Sequence, residues 1–209
     1  MDALNAALFW LDYAAVAVFA ATGALAAARL RQDFITFAFF AAITGVGGGT
    51  LRDLLIGAPV FWVHRPGYVV VCGLTAAVVW FLGGRGWRFR ALLWLDALGL
   101  AGYAIVGAAK ALSLGVPAFS AIIMGVLTTA FGGVIRDVLA GEPNLLLRRE
   151  IYITAALLGA SVFTGLKLLG LGFWAAALPA FALAFGLRAA AIRFNLHLPA
   201  FLGADGKAS

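Results

Sequence analysis

Two dipeptides, Arg52-Asp53 and Arg136-Asp137, set opposite charges side by side in stretches that are otherwise apolar. Each follows a glycine cluster, Gly47-Gly48-Gly49 in the first case and Gly132-Gly133 in the second. A charged side chain at membrane depth costs about 2.5–3.5 kcal/mol on insertion scales, so charges kept there have partners or a task. Adjacent helical residues project about 100° apart, so neither dipeptide is expected to satisfy itself. At about 1.5 Å of rise per residue, Asp12 and Arg52 fall at one depth near one side, and Asp96 and Arg136 at the matching depth near the other. The expectation is two symmetry-related ion pairs, Asp12–Arg52 and Asp96–Arg136. Lys110 has no charged counterpart. It either faces a hydrated path, where it would gate or repel cations, or snorkels to the interface.

The glycines bear on the backbone. Glycine costs about 1 kcal/mol relative to alanine within a helix. Three together are expected to interrupt or kink the second helix, and the pair to do so in the fifth. A half-helix starting near Thr50 would then present free N–H groups and a positive dipole end at mid-membrane, with Thr50 and Asp53 at capping-box spacing. Thr44, Thr128 and Thr129 lie next to the breaks, where hydroxyls would line a wet path. The alternative is close helix packing through small residues.

These residues need a scaffold that spans lipid. Of 209 residues, 64% are hydrophobic and 11% charged, against about 45–50% and about 25% in soluble domains. With about 20 apolar residues needed per crossing, seven spans are predicted, at roughly 7–28, 34–57, 68–83, 91–112, 117–141, 151–169 and 172–194. The first apolar run is too long for a signal-peptide core and reads as a retained helix. The connectors are short, and nothing divides the chain into more than one transmembrane domain.

Arg136 follows Arg52 by 84 positions, and the same offset without gaps pairs many other residues. Asp12 falls on Asp96, Gly23 on Gly107, Thr44 on Thr128, Gly48 on Gly132 and Gly49 on Gly133. Asp53 falls on Asp137, Gly57 on Gly141, Pro59 on Pro143, Arg65 on Arg149 and Tyr68 on Tyr152. The chain reads as two repeats, about 7–84 and 91–169, with a seventh helix appended at about 172–194. Three spans per unit invert the second unit relative to the first, giving an all-α, 3+3 inverted architecture. Arg29, Arg31, Arg85, Arg88, Arg90, Arg148, Arg149, Arg193 and Lys207 fall on one side, Arg65 and Lys167 on the other. The positive-inside rule makes the first side cytoplasmic, with the N-terminus outside and the C-terminus inside.

The formal charge of +6 does not indicate nucleic acid, because the bases sit in clusters between apolar runs. The single Cys72 and the separated His64 and His197 have no metal-ligand spacing. No nucleophile elbow, zinc-protease helix or phosphate loop is present, so no enzyme and no cofactor are expected.

The stretches Gly47-Gly48-Gly49-Thr50-Leu51-Arg52-Asp53 and Gly132-Gly133-Val134-Ile135-Arg136-Asp137 resemble the prokaryotic branch of the trimeric intracellular cation (TRIC) channels, a sequence family also labelled a glycine transporter domain. The resemblance runs from about Asp12 to the end of the seventh helix. It implies a homotrimer in the inner membrane, with one pore inside each protomer lined by helices 2 and 5, passing K⁺ and Na⁺ with little discrimination. Animal members carry Lys-Glu-Val on the fourth helix, where this chain has Lys110-Ala111-Leu112. The alternative function is a secondary transporter of a small zwitterion such as glycine, its carboxylate held at half-helix N-termini.

Overall fold

The computed structural model describes residues 3–82, 88–142 and 151–198. Seven helices follow in order: α1 (Ala3–Arg29), α2 (Phe34–Leu55), α3 (Gly67–Leu82), α4 (Arg88–Ser113), α5 (Ala118–Ala140), α6 (Ile153–Leu168) and α7 (Phe173–Phe194). The apolar stretches of α1, α2, α4, α5 and α7 are long and apolar enough to cross a membrane. The other two, α3 and α6, have 16 residues each. They rise about 24 Å, less than the about 30 Å hydrocarbon core. Among the basic residues expected to mark the cytoplasmic side, Arg85, Arg148, Arg149 and Lys207 lie outside the described residues, as does Pro143 of the repeat.

Helix ends repeat at the 84-residue offset. Gly57 and Gly141 both adopt the left-handed conformation, at φ +67° and +62°. Around them Ala58 N–H donates to Asp53 O and Glu142 N–H donates to Asp137 O, at 2.8 and 3.0 Å. These are paired Schellman closures of α2 and α5, in which glycine avoids the Cβ penalty. The starts differ. Asp33 caps α2 by accepting the Thr36 N–H at 2.8 Å, whereas Pro117, its counterpart, makes no side-chain cap on α5.

Packing follows the same offset. Helix α1 contacts α2 and α3 as α4 contacts α5 and α6, and α2 meets α3 as α5 meets α6. Helices α1 and α4 also meet each other, as do α2 and α5. Phe19 stacks on Tyr103, its own counterpart, with ring centroids 5.2 Å apart. A residue that touches its own mate lies beside a two-fold axis. Helix α7 has no counterpart and packs on α6 and α4.

The glycine clusters do not break the helices. Helix α2 is continuous from Phe34 to Leu55 and α5 from Ala118 to Ala140, which corrects the expected half-helix at Thr50. Thr50 is interior, its hydroxyl donating to Val46 O four residues back at 2.7 Å. The physical reason is that glycine's propensity cost is small beside that of a backbone group left unpaired in an apolar medium. The glycines serve close approach instead. A Cβ on Gly132 would lie 2.5 Å from Thr44 O, and one on Gly48 would run into Thr128 O. Since Thr44 and Thr128 are mates, these are two copies of one contact, and α2 and α5 cross backbone to backbone there.

Candidate functional site

Two charged clusters flank this crossing, one from each unit. In the first, Arg52 does not reach Asp12. Its Nε donates to Asp53 Oδ1 at 2.8 Å, and Nη2 lies 2.8 Å from the same oxygen. The arginine side chain is long enough to curl back across the angle between neighbouring residues, so the dipeptide pairs with itself, although Arg52 Nη1 is buried with no hydrogen-bond partner among the described residues. Asp12 instead accepts a 2.6 Å hydrogen bond from the Tyr68 hydroxyl. The expected Asp12–Arg52 pair is therefore corrected: each group is taken by another partner, Asp12 by Tyr68 and Arg52 by Asp53.

Lys110 is paired, contrary to its reading as an isolated charge. Its ammonium lies 2.8 Å from both oxygens of Asp53. Asp53 is the hub of the cluster, since its Oδ2 also accepts the Phe61 N–H at 3.0 Å. That bond, and a 2.9 Å bond from Trp62 Nε1 to Thr50 Oγ1, dock the α2–α3 connection onto the end of α2. The Phe61 ring then lies 6.0 Å from the Arg52 guanidinium carbon and 5.8 Å from the Lys110 nitrogen, within reach of cation–π attraction. Asp53 is fully buried, while the Lys110 side chain is 30% exposed. It is exposed to a cavity of about 960 Å³ whose walls include Asp12, Phe61, Arg65, Tyr68 and Lys167.

In the second cluster the expected Asp96–Arg136 pair is present. Arg136 Nη1 lies 2.9 Å from Asp96 Oδ1 and donates to Thr22 Oγ1 at 2.9 Å. Arg136 Nε donates to Asp137 Oδ1 at 2.8 Å. The side chains of Arg136 and Asp96 have no exposure at all. Both clusters thus tie one unit to the other, through Lys110 on α4 in the first and Thr22 on α1 in the second.

Of the threonines, Thr44 and Thr128 point their hydroxyls at α1 and α4. A Cβ on Gly23 or on Gly107 would lie 2.6 Å from the respective Oγ1. Thr128 donates to Met124 O at 2.5 Å and Thr129 to Leu100 O at 3.1 Å. Thr44 Oγ1 is buried with no hydrogen-bond partner among the described residues. Gly49 and Gly133 flank the crossing, and a Cβ on Gly133 would meet only ordinary contacts, 3.5 Å or more away.

Four residues were missed as site members. Tyr68 was visible as a repeat position, but its role as partner to Asp12 was not. Thr22 and Phe61 carry no sequence signal. Arg188 does carry one, being an arginine inside the apolar seventh span; it is fully buried.

A family model described as "Glycine transporter" matches the chain twice, over residues 9–83 and 93–168. A membrane protein of Vibrio cholerae is 40% identical over 199 residues, covering 93% of this chain and 82% of its own. The inner membrane protein YadS of Escherichia coli is 38% identical over 198 residues, covering 93% and 96%. A solved structure of the TRIC trimeric intracellular cation channel orthologue from Rhodobacter sphaeroides superposes with a TM-score of 0.88 at 47% identity, covering 91% of this chain and 99% of that one.

Proposed function

This chain belongs to the family described as glycine transporters, and we propose that it is a passive channel for monovalent cations, K⁺ and Na⁺. The observation that carries the reading is the 47% identity, over nearly the whole chain, to a cation channel of the same fold. Each protomer of a homotrimer holds its own path, bordered by α2 and α5 where Gly47, Gly48 and Gly49 approach Gly132 and Gly133. The units 7–84 and 91–169 lie inverted in the inner membrane, with α7 added, the N-terminus outside and the C-terminus in the cytoplasm.

Basic residues beside a cation path would oppose conduction if left alone. Here Arg52 is neutralised by Asp53, and Arg136 by Asp96 and Asp137. Among the described residues, Lys110 is the one cation of the two clusters that borders the cavity, which makes it the gating charge of this reading. Its ammonium opposes cation entry while Asp53 holds it in place. Replacing Lys110 with glutamine is expected to raise K⁺ conductance, with the gain shrinking as added salt screens the site.

A second reading has its own observation. The cavity is lined by the Asp12 carboxylate and by the cationic Lys110, Arg65 and Lys167, a set suited to the two charges of a zwitterion such as glycine. The experiment that separates the two is single-channel recording of the purified protein in a planar bilayer under KCl gradients. Discrete steps reversing near the K⁺ equilibrium potential support the channel. A silent bilayer, with saturable glycine uptake into liposomes from the same preparation, replaces it with the transporter.

A further inference from the structure

Helix α7 stands outside the repeat, yet it delivers a buried charge next to the second cluster. The Arg188 guanidinium carbon sits 5.2 Å from the centroid of the Tyr152 ring. The hydroxyl end of the same tyrosine reaches Gly133, where the Asp96–Arg136 pair also arrives. A Cβ at Gly133 would stand 3.6 Å from Tyr152 Oη, 3.7 Å from Asp96 Oδ1 and 3.5 Å from Arg136 Nη2. Tyr152 is therefore a single ring with Arg188 on its face and the ion pair at its tip.

The charge count gives this placement a meaning. Among the described residues, the first cluster has two carboxylates, Asp12 and Asp53, and two cations, Arg52 and Lys110. The second has, among the described residues, the mates Asp96 and Asp137 and, from its own unit, Arg136. The position matching Lys110 is Ala26, which is buried. Charges sealed from water are costly unless cations and carboxylates stand together, and Arg188 is a further fully buried cation beside this cluster. Each cluster thus draws its second cation from outside its own three-helix unit: the first from α4, the second from α7.

We infer that Arg188 is a positioning residue. Through the face of Tyr152 it balances the Asp96–Arg136–Asp137 cluster and sets the potential in that half of the protein, so that α7 controls passage there. The effect on passage rests on the channel reading; the charge balance does not.

The test compares wild type, Arg188→Lys, Arg188→Gln and the double variant Arg188→Gln with Asp96→Asn, as full chains. Thermal unfolding is measured in detergent and single-channel conductance in bilayers. The expected result is a melting temperature lowered by about 5–10 °C in Arg188→Gln, kept in Arg188→Lys and regained in the double variant. K⁺ conductance rises in Arg188→Gln at low salt. If the lysine variant is as damaged as the glutamine, or if Asp96→Asn adds its own loss instead of restoring stability, Arg188 acts only by packing on Tyr152 and the inference fails. Unchanged melting in Arg188→Gln overturns it as well. A silent wild type refutes the channel reading alone, since the rescue is still read by melting.

Discussion

The two charged clusters descend from one motif at one offset, yet they have diverged in opposite directions. The Arg52–Asp53 cluster borders a cavity through Lys110 and is braced by a loop that caps it with Phe61 and Trp62. The Arg136–Asp137 cluster is sealed, with Asp96 locked onto the arginine and an extra helix behind it. The difference turns on a few positions. Lys110 stands opposite Ala26, and Arg188 on a helix with no mate at all. The frame is kept alike in both halves by the glycine crossing, while the charges that decide wet or dry come from positions the repeat does not share.

The largest expected effect breaks this comparison directly. Arg136→Gln leaves Asp96 and Asp137 buried around a lost cation, at a cost of about 3–5 kcal/mol. Arg52→Gln leaves Lys110 on Asp53 and costs about 2 kcal/mol. Thermal melts of the two variants side by side decide, and equal losses would mean the clusters are energetically alike. Next is the crossing. Gly132→Ala forces a methyl against Thr44 O and is expected to cost about 3 kcal/mol, while Gly133→Ala, with room around it, stays close to wild type. The same melts, with size-exclusion profiles, show whether position 132 alone is intolerant.

The tyrosines sharpen the contrast. Tyr68→Phe removes the Asp12 partner and should cost about 1.5–3 kcal/mol. Tyr152→Phe removes a hydroxyl with no hydrogen-bond partner among the described residues and should cost less. The smallest effect concerns the helix starts. Asp33 is exposed, and its carboxylate is held below the usual range chiefly by the Thr36 backbone N–H. A lowered value in the folded state means the contribution is present above the ordinary value of about 3.9 and lost as pH falls through the lower folded one. Asp33→Ala should therefore lower the melting temperature slightly at pH 7 and not at all at a pH below both values. Changing Pro117, which caps nothing, to serine or aspartate should raise it.

The repeat was legible because glycine, proline and charge are few and land on one another without gaps. Asp96–Arg136 was legible because depth and charge sign together named one partner. Depth failed for Asp12 and Arg52 because it does not report rotation about the helix axis, and Tyr68 and Asp53 were better placed. The glycines were read first as weak points by their helix propensity, with close packing as the alternative, and the structure shows the alternative at Gly48 and Gly132. Their contribution lies between helices, in a contact that a single-helix argument does not contain. Lys110 looked isolated because its partner comes from the other unit, 57 residues away.

The adjacent Arg-Asp pairs also matter before any tertiary structure exists. A nascent helix enters the bilayer carrying whatever charges its own sequence holds, and α2 and α5 each carry theirs already joined to the next residue. A bare arginine would have to wait in the aqueous channel of the insertion machinery for a partner helix. A self-neutralised one can leave as soon as its span is complete. The bonds from Asp53 to Lys110 and from Arg136 to Asp96 then add a second partner within the lipid while the first is kept, and biogenesis of the two halves need not be simultaneous.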